Sequence, residues 1–173
     1  MQFQLDQAIE VISDTPAVLN TLLRGKSAAW LDARKSPDSF SAMDVLGHLI
    51  HGEKTDWIPR VRIMLEHGDA RTFEPFDRFG FHESIAGKPV GELLDEFTRL
   101  RRQSLETLKG LNLTEEQFAL PGMHPELGAV TLGNHLANWA VHDLGHIAQI
   151  VKTMASEYRD AVGPWRVYTS ILD

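Results

Sequence analysis

The sequence predicts an all-α protein, an antiparallel four-helix bundle built as one domain over residues 1–173. Three observations carry that reading. Four long segments repeat their apolar residues at helical spacing. Nowhere does an apolar/polar alternation mark a convincing strand. At 173 residues, 43% hydrophobic and 24% charged, the chain suits a single globular domain whose core needs no cross-links.

The first helix is expected from about Phe3 to Arg24, with Leu5, Ile9 and Ile12 on one stripe. Thr15-Pro16 interrupts it, because proline lacks the amide that an inner turn uses, so a kink or two short helices are expected there. Gly25 closes the segment. The second helix begins after Ser41, with Asp44 placed for a capping box. It carries Val45, Leu46, Leu49, Ile50, Trp57, Ile58, Val61, Met64 and Leu65 before Gly68 ends it, and Pro59 should bend it. A long polar and aromatic loop follows over 68–88; connections of that length are often functional. The third helix runs from about Pro89 to Lys109 with Leu93, Leu94, Phe97, Leu100, Leu105 and Leu108. Thr114 to Gln117 reads as a short capped turn, and LPGMHPELGAV as irregular chain. The fourth helix spans about Thr131 to Glu157, and Gly163-Pro164 breaks the chain before a small C-terminal segment.

Composition narrows the functions. Cysteine is absent, which excludes disulfides, Cys-based zinc or iron–sulfur sites and a protein thiol nucleophile. Seventeen basic against 24 acidic residues leave a net charge of −7. The densest basic cluster, Arg99, Arg101 and Arg102, has acidic residues close by, so no nucleic-acid partner is expected. The segment MQFQLDQAIEVISD lacks the basic start of a signal peptide, and no apolar run is long enough to span a membrane. A cytoplasmic location, with no membrane partner, is the expectation.

Eight histidines carry the chemistry. His142 and His146 lie i, i+4 in HDLGH, about 40° apart around the fourth helix, so their rings can converge on one ion. The glutamate that follows the first histidine of helical metalloproteases is replaced by Asp143, projecting about 100° away, which argues against a protease. By itself such a pair also fits two solvated histidines. Context favours a site: the fourth helix carries an apolar stripe of Leu132, Leu136, Trp139, Ala140, Leu144, Ile147, Ile150 and Met154. Beside it runs an almost uncharged stripe of His135, Asn138, His142, His146, Gln149 and Thr153. A third ligand is available from the second helix. His48 lies beside its apolar stripe and is the candidate, whereas His51 lies further round and is expected in solvent. Gly47 and Gly52 would allow close approach, and Glu53 falls at the stripe's centre, where burial demands a partner: a histidine N–H or a neighbouring helix. His124 and Glu126 fit a turn around Pro125 or the rim of a cavity, and His67 and His82 are expected in solvent.

These segments resemble the DinB-like (YfiT-like) superfamily. The resemblance rests on VLGHL in the second helix and HDLGHIAQI in the fourth, together with TPAVLNTLL, GEKTDWIPR and HPELGAVTL, and it extends from about Gln4 to Met154. It implies a four-helix bundle, a homodimer, and one divalent metal held by His48, His142 and His146. It also implies chemistry on a small-molecule substrate: transfer by a metal-dependent enzyme using a low-molecular-weight thiol cosubstrate, or metal-dependent hydrolysis. A non-enzymatic metal-binding or stress-response protein is the alternative. Zn, Ni, Fe, Mn and Co all accept imidazole ligands. Three protein ligands leave coordination positions open, the catalytic rather than the structural pattern. Loss of metal is expected as pH falls through about 6.5, where free imidazole is protonated.

Overall fold

A computed structural model describes residues 3–172. Its bundle is formed by α1 (Leu5–Leu23), the pair α3 (Ala42–Thr55) and α4 (Trp57–His67), α6 (Val90–Gly110) and α7 (Leu132–Ser156). Short α2 (Ala28–Leu31) and α5 (His82–Ile85) sit in connections. Among the described residues, no helix is long and apolar enough to cross a membrane.

Local chemistry sets most boundaries as the sequence implied. Ser41 and Asp44 form a complete capping box ahead of α3, and Thr131 with Asn134 does the same for α7. Thr114 and Gln117 cap a 3-10 turn over Glu115–Ala119. The second bundle helix breaks at Asp56 rather than at Pro59. Proline has no amide to donate to the carbonyl four residues back, so it is tolerated in the first turn of a new helix, where Pro59 stands. The segment read as irregular contains a hairpin, β1 (Pro121–His124) with β2 (Gly128–Thr131), paired antiparallel. Strands of four residues are too short to show alternation. Their turn is held by His124 Nδ1, which accepts from the amides of Glu126 and Leu127.

Helices α1 and α3 each pack against both α6 and α7, so the ring order is α1, α6, α3–α4, α7. The core has two halves. One gathers Leu19, Leu23, Leu46, Leu49, Leu93, Phe97 and Ile150; the other gathers Ile12, Trp57, Val61, Leu108, Leu136 and Trp139. Following each helix from one half to the other gives its direction. Helices α1 and α7 run one way, α3–α4 and α6 the other. The lateral contacts α1–α6 and α3–α7 are therefore antiparallel, and α1–α7 and α3–α6 parallel. Because α4 and α6 point the same way, residues 68–89 must return along the whole bundle. That is why the long loop exists, and it brings Phe76, Arg78 and Phe81 across α3.

Between the two core halves lies a buried polar layer. Arg101 on α6, 1% exposed, donates to Glu53 Oε1 of α3 at 2.8 Å and to both carboxylate oxygens of Asp143 on α7. Asp143 also accepts from the Thr15 hydroxyl at 2.7 Å. Helix α1 runs unbroken through Pro16. Proline at 16 leaves the Ile12 carbonyl without its helical donor, and Arg101 Nη1 fills that place at 2.8 Å. The guanidinium also lies over Phe97 and Trp139, 4.9 and 5.2 Å from their ring centres.

Glycine matters most at Gly47. A Cβ there would meet Phe81 Cδ2 at 2.7 Å and Ile85 Cγ2 at 2.9 Å. The return segment presses onto α3 at this point. Gly47→Ala should therefore cost about 1–3 kcal/mol through overpacking, read as a lower urea midpoint. An unchanged midpoint would show that the segment is free to yield.

Candidate metal centre

His48 projects from α3, and His142 and His146 from α7, into the seam between these antiparallel helices. Their Nε2 atoms converge: His142 lies 3.2 Å from His48 and 3.1 Å from His146. One ligand atom from each residue lies within 4.8 Å of the other two. A tetrahedral ion with bonds of about 2.0–2.1 Å holds its ligands about 3.3–3.4 Å apart, so the set fits one small dication.

The outward nitrogens explain the orientation. His146 Nδ1 donates to Gln149 Oε1 at 2.9 Å, and His48 Nδ1 faces the carbonyl of Arg78 at 3.4 Å. A carbonyl oxygen can only accept, so the proton sits on Nδ1 of both rings and the inward Nε2 carries a lone pair. Two lone pairs thus aim at the space beside His142 Nε2, an arrangement that a bound cation satisfies. The loop walls the site on the α3 side. Phe76 meets the His48 ring edge-on at 5.3 Å between centres, while Phe40 lies at 5.7 Å.

Burial pushes the pKa of His48 down to about 4, assisted by His146, and that of His142 down to about 3, assisted by His146 and His48. Burial also lowers His146. Protons therefore compete weakly, and loss of metal should begin below the pH of about 6.5 expected for free imidazole. Histidine 135 is lowered to about 4 as well, again by burial. In the unfolded chain these rings charge below about pH 6.5, whereas the folded protein keeps them neutral. The unfolded state then binds more protons, so this part of the stability is present above about pH 6.5 and is lost toward about pH 4. His135→Gln, which cannot charge, should flatten the fall in urea midpoint of metal-free protein between pH 6.5 and 4.5. Equal slopes for the two proteins would refute the assignment.

The other sequence candidates fall elsewhere. His135 is buried against the carbonyl of Trp57 at 3.1 Å and takes no part in the cluster. His51 is half-buried beside Phe76, 5.2 Å between ring centres, and stays outside the triad. Glu53 bonds Arg101, so it bridges helices and serves no histidine. His124 shapes the hairpin turn; His67 and His82 are exposed. One expectation for α7 is reversed. Leu144, placed on the apolar stripe, is 52% exposed, and its neighbour Asp143 is fully buried. The inner face is rotated toward Asp143 because Arg101 supplies the opposite charge there. Arg101 was the missed residue. It lies on the stripe Leu94, Phe97, Ser104 and Leu108, and that register was its only signal in the sequence.

A family model described as the DinB superfamily matches residues 12–150. The chain belongs to the DinB superfamily. Among solved structures it is similar to YfiT from Bacillus subtilis, described as a probable metal-dependent hydrolase with an unusual four-helix bundle topology. The two share 23% identity with a TM-score of 0.75, covering 89% of this chain and 87% of YfiT. No curated protein sequence matches the chain. The DinB fold thus accounts for the bundle, and the convergence of three imidazoles marks where its chemistry would lie.

Proposed function

We propose that His48, His142 and His146 hold one divalent cation through Nε2, and that the protein is a metal-dependent transferase using a low-molecular-weight thiol. When bound, the cation supplies Lewis acidity and lowers the pKa of a thiol or water beside it. One observation favours the thiol. Among the described residues, no carboxylate joins the three histidines, and the nearest acid along α7, Asp143, is committed to Arg101 and Thr15. A thiol with a pKa near about 8.5 needs a far smaller shift than water, whose pKa must fall from about 15.7, so beside a cation it ionises more readily with no carboxylate to take the proton. With no cysteine in the chain, the sulfur must arrive with a cosubstrate. The residues' own part is to fix the Nε2 lone pairs of His146 and His48, through Gln149 and the Arg78 carbonyl, and to shield His48 behind Phe40 and Phe76.

The likeness to YfiT, a probable metal-dependent hydrolase, favours hydrolysis as the second reading. Incubating metal-loaded protein with a thiol panel and an electrophile decides between them. Thiol consumption that vanishes in His142→Ala supports transfer; ester or amide cleavage without thiol supports hydrolysis. Tight metal binding with neither reaction favours a metal-binding protein. A homodimer is part of the proposal, supported by the exposed Val18 of α1 and Val141 and Leu144 of α7. A monomeric mass in light scattering at micromolar concentration would remove it.

A further inference from the structure

Within the return segment, residues 74–80 are fixed at both ends and loosely held between them. At one end the Phe73 amide donates to the Met123 carbonyl at 2.9 Å, and Phe73 is 2% exposed. At the other, Phe81 is fully buried and lies against Gly47. Between these anchors the chain forms neither helix nor strand. Among the described residues, its bonds to other main-chain groups stay local: the Gly80 amide meets the Asp77 carbonyl, and the His82 amide the Phe79 carbonyl. The Phe79 amide donates to Asp77 Oδ1 at 2.9 Å, closing the turn on itself. Two side chains reach the segment from the body of the protein. Arg60 donates to the Glu74 carbonyl at 3.2 Å, and His48 Nδ1 faces the Arg78 carbonyl at 3.4 Å.

The turn rests on the candidate metal centre. Phe76 packs on His48 and His51, with ring centres 5.3 and 5.2 Å apart. The Arg78 guanidinium lies over Phe40 at 4.9 Å, and Phe79 meets the same ring at 5.8 Å. Gly80 sits so close to the His51 ring that a Cβ would lie 2.9 Å from its Cε1. Exposed stretches with few bonds to the body open at the lowest cost in a protein. An imidazole that binds a cation through one nitrogen becomes a stronger, charge-assisted donor at the other. The 3.4 Å contact is at the long limit for a hydrogen bond and has room to tighten.

We propose that residues 74–80 form a strap over the centre, which opens locally in metal-free protein and is latched by a cation on His48 through the Arg78 carbonyl. The inference rests on the metal-site reading and deepens it by giving the loop a part in retaining the ion. By linkage, whatever the ion adds to closure, closure returns to the ion's affinity. Phe76 is then a positioning residue: it seats the turn on the His48 ring.

Limited trypsin cleavage with and without Zn²⁺ tests this, with occupancy read separately by a chromogenic chelator. Arg78 is exposed, and the bond after it should be cut early in metal-free protein, giving fragments 1–78 and 79–173. Zn²⁺ should slow that cut about tenfold, within the usual range of coupling between two sites. The cut after Arg166, exposed in the C-terminal segment, should keep its rate. His146→Ala leaves the His48–Arg78 contact in place but should lose the response at the same Zn²⁺ concentration. Phe76→Ala should hasten the Arg78 cut in metal-free protein about fivefold, the scale of one lost aromatic contact, again without change at Arg166. Zn²⁺-occupied protein cut as fast as metal-free protein, or slowing shared equally by Arg166, would overturn the latch. Should Zn²⁺ fail to bind, the metal reading falls and the latch with it. The Phe76→Ala comparison on metal-free protein still decides the strap, which an unchanged Arg78 cut would overturn.

Discussion

Replacing His142 by alanine is expected to lower divalent-metal affinity by more than about a hundredfold, because groups that merely orient metal ligands already contribute about 10–100-fold. His142 is the central ligand of the three. Its Nε2 lies 3.2 and 3.1 Å from those of its two partners, so its removal leaves only one ring from each helix to hold the ion. His48→Ala should follow closely, and Gln149→Leu should cost roughly tenfold by freeing the His146 ring to rotate. His51→Ala is the contrast. Its ring packs on Phe76 outside the cluster, and metal affinity should change by less than about threefold, below the effect of losing even an orienting group. Titration against a chromogenic chelator measures all four. A His51 effect as large as that of His48 would mean that the ion sits on another face of α3.

Arg101→Met should destabilise the protein by about 3–5 kcal/mol, the usual result of stranding buried charge. The methionine fills much of the volume but supplies no charge and no donor. Glu53 and Asp143 would remain buried, and the Ile12 carbonyl would lose the donor that replaces the amide absent from Pro16. Burial already raises the Glu53 pKa, against the pull of Arg101. Burial alone would lower the Arg101 pKa, yet Glu53 and Asp143 together outweigh it and raise it. Arg101 thus keeps its charge through contact with both carboxylates. Adding Glu53→Gln and Asp143→Asn to Arg101→Met should recover part of the loss, since the remaining buried groups are neutral. Urea midpoints measure both steps. A single-variant cost below about 1 kcal/mol, the range of an exposed ion pair, would mean that water reaches the layer.

The buried layer also shows how far periodicity carries. Arg101 and Asp143 occupy inward positions on their helices, but residue type argued for the surface, since charged groups are almost never fully buried unless paired. Their partners stand 42 residues apart, with Glu53 another 48 away and Thr15 128 away. No local pattern joins such positions. Pro16 is similar: it signals a missing donor in α1, yet not that a guanidinium from α6 takes its place. Conversely, the Ser41–Asp44 and Thr131–Asn134 caps are complete within four residues, and both helix starts were legible to within a residue.

What the sequence determined is what repeats or closes over short range: four amphipathic helices, their caps, and the i, i+4 histidine pair whose rings must share one side of α7. Tertiary structure decided which helix faces which. It set the parallel course of α3–α4 and α6, and so sent residues 68–89 back over α3, where the Arg78 carbonyl meets His48. A helix's period fixes which way a side chain points, but the group it meets there depends on how distant segments are stacked, and that is settled by packing the whole core at once.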